Sequence, residues 1–339
     1  MKFDIITIGS LVFDIFFEPE VSLIKWDKTS LNKALVFPLG GKVGSKKILF
    51  SAGGNALNAA VTFSRQGYKT AVIAKVGKDA LAEDIFKKIK KESIYSSLIK
   101  TDKQLPTSCS VILLSKGERA IMNYPGANHN LKLKDINLAD LKSKWWYVSL
   151  AGEAYKILPP LLEFAEKNGI LVALNPSTYH LRNNSKGLKD FFKKINLLIV
   201  NEDEASLITG ISFKNKKKVF KKLDEMVPSI VAVTSGSKGV SVSDGKFIYE
   251  AGIFNAKVVD RTGAGDAFGS GFVSGLMRFT KENKDKKAIF SASAIKYAIS
   301  LATANAASVV EKLGANEGAL YFEKQNRWKG LKIKIHKLK

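Results

Sequence analysis

Continuous apolar runs recur along the chain, most of them separated by stretches whose apolar positions repeat with helical periodicity. Residues 3–9 form the first run, and a helical pattern covers 55–66. Residues 70–76 predict a further strand and 80–91 a further helix. Later runs at 146–150, 170–174, 197–200 and 230–234 predict strands, with helical stretches such as 155–168 between them. A strand that is apolar at successive positions buries both faces, because neighbouring side chains point to opposite sides of the sheet. Strands of this kind alternating with helices predict an α/β fold, a mostly parallel central sheet covered on both sides in three layers.

Two segments break the rhythm. Residues 15–50 are long for a plain loop and carry short strand-like runs, and residues 108–122 read as a hairpin whose centre, 115–118, holds a turn glycine. Neither has partner helices, which predicts a small β lid beside the crevice at the carboxyl ends of the core strands. The expected division is an α/β core from 1–14, 51–107 and 123–328, a lid from 15–50 and 108–122, and a basic tail from 329–339. Residues 3–17 are apolar enough to suggest a targeting segment, but Asp4 and Asp14 interrupt them and no small-residue cleavage site follows. They read as a buried strand and its exit. No apolar stretch is long enough to cross a bilayer, so no membrane partner is expected.

Composition changes this picture in one respect. Among 339 residues, 45% are apolar and 25% charged, as in packed globular proteins, but the formal net charge is +23. Such a balance can signal nucleic-acid binding. Only six of the 54 basic residues are arginine, however, whereas base readout and bidentate phosphate recognition favour arginine. A solvated lysine-rich surface is the expectation, with no specific nucleic-acid partner. The lone Cys109 closes no intrachain disulfide, and His129, His180 and His336 are too scattered for a zinc site. A reducing, cytoplasmic setting fits.

The strongest chemical signal is Asp260-Arg261-Thr262-Gly263-Ala264-Gly265-Asp266-Ala267-Phe268-Gly269-Ser270-Gly271, running into an apolar helix. Gly263 and Gly265 permit a tight backbone whose amides converge at a helix N-terminus, where anions are favoured. A carboxylate beside an anion site is electrostatically costly, so Asp266 is expected to transfer protons. The competing reading makes Asp266 a helix cap and the glycines packing positions. A cap does not account for glycines at 269, 271 and 275, each of which costs about 1 kcal/mol in a helix interior. The dinucleotide fingerprint does not fit, because Phe268 occupies its third glycine, and no G-x-x-x-x-G-K-[ST] loop occurs.

This segment resembles the C-terminal signature D-x-T-G-A-G-D of the ribokinase-like, or PfkB, carbohydrate kinases, and matches it at every fixed position. The resemblance implies a ribokinase-like fold, Asp266 as catalytic base, and an anion hole from the backbone of Gly263, Ala264 and Gly265. Ala52-Gly53-Gly54-Asn55-Ala56-Leu57-Asn58 resembles the family's N-terminal glycine pair. Two glycines before a helix let the backbone approach a ligand, and Asn58 offers both a donor and an acceptor to hydroxyls. Asp14 lies among apolar residues, where a carboxylate needs partners. It is either a turn residue or, by the resemblance, an acceptor for substrate hydroxyls at the end of the first strand. Asn128, in Pro125-Gly126-Ala127-Asn128, joins this substrate set, and Asn175-Pro176 lies at another strand end.

On the nucleotide side, Asn201-Glu202-Asp203-Glu204 resembles the family's N-x-x-E element, which implies that Glu204 meets Mg²⁺ through water and that Asn201 lies near the nucleotide. Taken alone it is an acidic helix start. Thr234, Gly236 and Gly239 fit a T-x-G-x-x-G phosphate turn, and Asn305 and Gly314-Ala315-Asn316 resemble the wall near adenine, where small residues could equally serve packing. The implied cofactors are ATP and Mg²⁺; a monovalent cation and a homodimer through the lid stay open. The expected activity is ATP-dependent phosphorylation of a sugar hydroxymethyl group. A nucleoside kinase of the same family is the alternative, and a basic nucleic-acid-binding protein that kept the fold is a distant one.

Overall fold

The computed structural model describes residues 2–28, 32–115, 118–183, 191–282 and 288–338. Its core is a nine-stranded sheet in the order Ile333–Lys337, Phe247–Ala251, Val240–Ser243, Ile230–Thr234, Leu197–Asn201, Leu171–Leu174, Ser143–Ser149, Phe3–Gly9 and Thr70–Ile73. The last six strands are mutually parallel, and the first three are antiparallel. The parallel part explains the continuous apolar runs. In the strand Ser143–Ser149, Trp146 and Val148 join one core, with the helices Leu158–Lys167, Glu202–Thr209 and Lys216–Met226. Trp145 and Tyr147 join the opposite core, with Asn55–Arg65, Ala264–Met277 and Ala292–Val310. Each buried side chain of the size of Phe272 or Trp146 contributes about 1.5–3 kcal/mol, so the two cores make the layers mutually dependent.

A separate four-stranded sheet is the lid, in the order Glu118–Tyr124, Cys109–Ser115, Val12–Pro19 and Ser45–Gly53. A ribbon of Leu23–Lys25 and Lys33–Leu35 extends from it. The turn expected at 115–118 falls on residues 116 and 117, outside the described residues. The lid begins earlier than its apolar pattern suggested. The core strand ends at Gly9, so Asp14 sits inside a lid strand, paired with Ser51 and Ser110, and not at the end of the first core strand. The basic tail is likewise not an appendage: Ile333–Lys337 pairs with Phe247–Ala251 and forms an edge of the core sheet. It alternates isoleucine with lysine and histidine, and its charged positions, like Ile335, are exposed while Ile333 is half-buried, as suits an edge strand.

Among the described residues no helix is long and apolar enough to cross a membrane. Four of the six arginines are engaged within the molecule: Arg65 with Glu92, Arg278 with Gln66, Arg327 with Glu311 and Arg261 with Glu118.

Candidate active site

The helix Ala264–Met277 starts at Gly263, whose φ of 77° favours glycine and whose side of the helix carries no side-chain cap. The preceding loop is pinned by Asp260. One carboxylate oxygen accepts from the Thr262 amide at 2.9 Å and the Thr262 hydroxyl at 2.7 Å, and the other accepts from the Gly314 amide at 3.2 Å. The helix N-terminus is therefore held against the segment that follows the helix Ala292–Val310. First-turn amides lack intrahelical partners, so this end presents N–H groups and positive potential to the crevice.

Asp266 stands in that first turn. Its Oδ2 accepts from Asn58 Nδ2 at 2.8 Å. Burial of the carboxylate pushes its pKa above the ordinary range, while the Asn58 hydrogen bond pulls the other way. Asn58 Oδ1 in turn accepts from Asn316 Nδ2 at 2.8 Å. An amide has two N–H groups and two lone pairs, so these bonds use one of each on Asn58.

Asp14 lies close by on the lid. It is 6% exposed, and a β-carbon on Gly53 would fall 2.3 Å from its Oδ2. Glycine at 53 is thus what lets the lid strand seat a carboxylate there. Desolvation lifts the Asp14 pKa to about 7, opposed by the Ser110 hydroxyl and reinforced by the charges of Asp260 and Asp266. Strand register puts Asp14, Ser51, Ser110 and Asn123 in one polar row. Gly54, with φ 92°, starts the helix Asn55–Arg65, and its α-carbon packs on the Ser10 carbonyl so tightly that a β-carbon would lie 2.5 Å away.

On the other side of the helix N-terminus is an apolar pocket of about 350 Å³. Thr234, Gly236 and Gly239 line it, together with Ala264 and Gly265. Much of its wall was not legible as a motif: Ile253, Phe254 and Val258 come from an irregular segment. Gly239 has φ 101° and packs against Ala251, leaving no room for a side chain.

Three residues that the resemblance implied for ligands have other partners. Asn305 is fully buried; its amide donates to Ala267 O at 2.8 Å and Thr62 Oγ1 at 3.1 Å and accepts from the Leu320 amide at 2.8 Å. Thr303, Ala306, Ala307 and Val310 face the pocket instead, the i, i+3, i+4, i+7 stripe of that helix. Asn128 is clamped to both backbone groups of Leu11, at 3.1 and 2.6 Å, and to the Ser108 hydroxyl at 2.6 Å, so it fastens the lid base. Asn316 does not line the apolar pocket but reaches Asn58.

Asn201 and Glu204 form a capping box, each side chain accepting the other's amide, and the Thr178 hydroxyl donates to Glu204 Oε1 at 2.6 Å. No group of three or more metal-ligating side chains converges among the described residues. Two of the lone-pair sites on the Glu204 carboxylate are thereby used and two remain, which fits a metal held mainly by phosphate and water rather than in a protein cage.

The glycines inside the Asp266 helix have a packing cause. A β-carbon on Gly271 would fall 2.9 Å from Ala302 Cα, one on Gly275 2.5 Å from Ala298 Cα, and one on Gly269 2.5 Å from the Tyr147 hydroxyl. Gly271 and Gly275 let the helices Ala264–Met277 and Ala292–Val310 approach closely, Gly269 lets the first of them approach the core strand Ser143–Ser149, and none of the three says anything about chemistry. At Gly265, by contrast, a β-carbon meets nothing within 4 Å.

Known proteins share this fold. The pattern of the pfkB family carbohydrate kinases matches residues 30–320, and the chain belongs to that family. It is 27% identical over 212 residues to an ATP-dependent 6-phosphofructokinase of Thermoanaerobacterium thermosaccharolyticum, covering 58% of this chain and 65% of that one. The chain thus spans somewhat less than two thirds of that relative's length. A ribokinase of Arabidopsis thaliana, solved with ribose and ATP, shares the fold with a TM-score of 0.75 at 21% identity, over 97% of this chain and 99% of its own. The adenosine kinase of Sinorhizobium meliloti does so with a TM-score of 0.76 at 21% identity, over 96% and 98%. The fold is the ribokinase fold.

Proposed function

We propose that the protein transfers the γ-phosphoryl group of ATP to a hydroxymethyl group of a small sugar. The observation that carries this reading is the position of Asp266: a carboxylate with a raised proton affinity, in the first turn of an uncapped helix, with an apolar pocket on one side and the polar lid row of Asp14 on the other. ATP would occupy the apolar pocket with its phosphates toward the helix N-terminus. Asp266 would take the proton from the acceptor hydroxyl as the hydroxyl oxygen attacks the γ-phosphorus, the bond to the β,γ-bridging oxygen breaks and ADP leaves. The amides of Gly263, Ala264 and Gly265, of which that of Ala264 also donates to the Arg261 carbonyl at 3.3 Å, would stabilise the charge on the transferring group. Mg²⁺, reached by Glu204 through water, would neutralise phosphate charge.

The reading is supported by the ATP-dependent relative and by the neighbour solved with ribose and ATP. The likeness to adenosine kinase keeps nucleosides as the alternative acceptor. A cytoplasmic setting belongs to the same reading, consistent with the free thiol of Cys109. So does a homodimer through the lid, since Phe50 and Met122 lie in one row with Ile15 and Val111 and are more than half exposed. A coupled ADP-release assay over pentoses, hexoses, sugar acids and nucleosides, with and without Mg²⁺, tests the proposal. Turnover with a sugar only in the presence of metal is expected; turnover confined to nucleosides selects the alternative, and none with any acceptor refutes both.

A further inference from the structure

We propose that Asn316 is a positioning residue: acting through Asn58, it sets which way round the amide that touches Asp266 stands. The inference deepens the general-base reading of Asp266 and rests on it.

Three hydrogen bonds form a directed relay. Asn316 Nδ2 donates to the Ala52 carbonyl at 2.9 Å and to Asn58 Oδ1 at 2.8 Å, and Asn58 Nδ2 donates to Asp266 Oδ2 at 2.8 Å. An asparagine amide can in principle sit either way round, presenting oxygen or nitrogen to a neighbour. Here the choice is made at the far end. The Ala52 carbonyl can only accept, so Asn316 must turn its nitrogen toward it. The second N–H of that nitrogen then requires Asn58 to present its oxygen. With its oxygen held, Asn58 has only its nitrogen to offer Asp266.

The relay is enclosed and braced. Asn58 is 5% exposed and Asn316 1%. Arg65, paired with Glu92 at 2.7 Å, donates to the carbonyls of Glu317 at 3.0 Å and Ala319 at 2.9 Å, which fixes the segment carrying Asn316. The same segment meets the Asp260 carboxylate through Gly314. Asn316 therefore ties the glycine-pair strand, the helix Asn55–Arg65 and the segment after the helix Ala292–Val310 to a single carboxylate.

The consequence is electrostatic. A donor aimed at Asp266 favours its ionised form, the form able to take a proton, and offsets the effect of burial. An Asn58 turned the other way would present oxygen to oxygen and hold the proton on Asp266. Among the described residues the other titratable groups whose fields couple to Asp266 are Asp14 from the lid and Tyr147 from the core sheet. Both stay in place when Asn316 is changed, so a difference between variants reports the relay.

The test uses the full chain with Asn316→Leu, which keeps the branched four-atom side chain and removes both donors, and Asn316→Asp, which keeps the shape and when ionised can only accept. The pH profile of kcat/KM should lose about tenfold on its acidic side in Asn316→Leu and recover toward wild type at alkaline pH, with ATP affinity unchanged. Asn316→Asp should lose more, because Asn58 then turns its nitrogen to the new carboxylate. Independently of turnover, the side-chain amide resonances of Asn58 should follow the titration of Asp266 in the wild type and follow it more weakly in both variants. A uniform loss at every pH, or Asn58 resonances that follow Asp266 as before, would overturn the relay. An inactive wild type with the resonance coupling intact would instead refute the general-base reading and leave the relay standing.

Discussion

Gly263 and Ala315 touch so closely that a β-carbon on the glycine would lie 2.0 Å from the Ala315 carbonyl oxygen, whereas two residues further on a β-carbon at Gly265 would meet nothing. The two glycines of one motif thus have different reasons. Gly263 is required by the protein's own packing and by its positive φ. Gly265 faces open space that the proposed phosphoryl group would use. Gly263→Ala should lower the melting temperature, by an amount corresponding to about 1–3 kcal/mol, with activity falling alongside. Gly265→Ala should fold normally and lose kcat. Thermal melts beside steady-state kinetics check both, and a stable, fully active Gly265→Ala would remove the argument for an anion at that spot.

Asp266→Asn should bind ATP and fold like the wild type but lose turnover by about two to four orders of magnitude, the range for removing a general base. The amide can still accept from Asn58, so the 2.8 Å contact survives the change while basicity does not. Single-turnover kinetics together with ATP calorimetry would separate these effects. Near-normal kcat would sink the assignment.

Asp14, with a pKa near 7, should make acceptor binding pH dependent. The ionised carboxylate accepts from hydroxyls more strongly than the protonated one, so acceptor affinity should rise as pH increases through about 7, with ATP affinity level. Asp14→Ala should abolish this dependence and weaken the acceptor by about 1.5–3 kcal/mol at pH 8. Calorimetry with each ligand at several pH values decides. A parallel loss for ATP and acceptor would make Asp14 structural.

A second raised carboxylate lies away from the site. Asp224 accepts from the Ser243 hydroxyl at 2.7 Å, and burial, with a contribution from Asp244, lifts its pKa to about 7. Between its ordinary 3.8 and about 7 the folded state keeps a proton that the unfolded state has lost, so stability falls as pH rises through that window and stays low above it. Asp224→Asn removes the penalty and can keep the Ser243 hydrogen bond. It should stabilise the protein at pH 8, by up to about 4 kcal/mol, and change little at pH 4. Denaturant unfolding at the two pH values is the measurement, and equal effects at both would contradict the shift.

The layered α/β core was legible in the sequence because both faces of its parallel strands are buried, so that Trp145 and Trp146 are both apolar although they point into different cores. The helix start between Asp260 and Asp266 was legible because its signals are local: two glycines and a carboxylate beside the first helical turn. What the tertiary structure decided is direction and partnership. Asn305 and Ala306 are neighbours in sequence, yet helix rotation sends one into a saturated interior and the other to the pocket wall. Glycines 269, 271 and 275 owe their place to Tyr147 and to a helix that follows later in the chain. The lysine-rich end became a core edge strand because Phe247–Ala251 offered it an unpaired edge. Asn58 acquires its orientation from Asn316, 258 positions away, and passes it to Asp266, 208 positions away. A hydrogen bond depends on distance and angle in space, and residues that far apart in the chain leave no periodicity by which to find it.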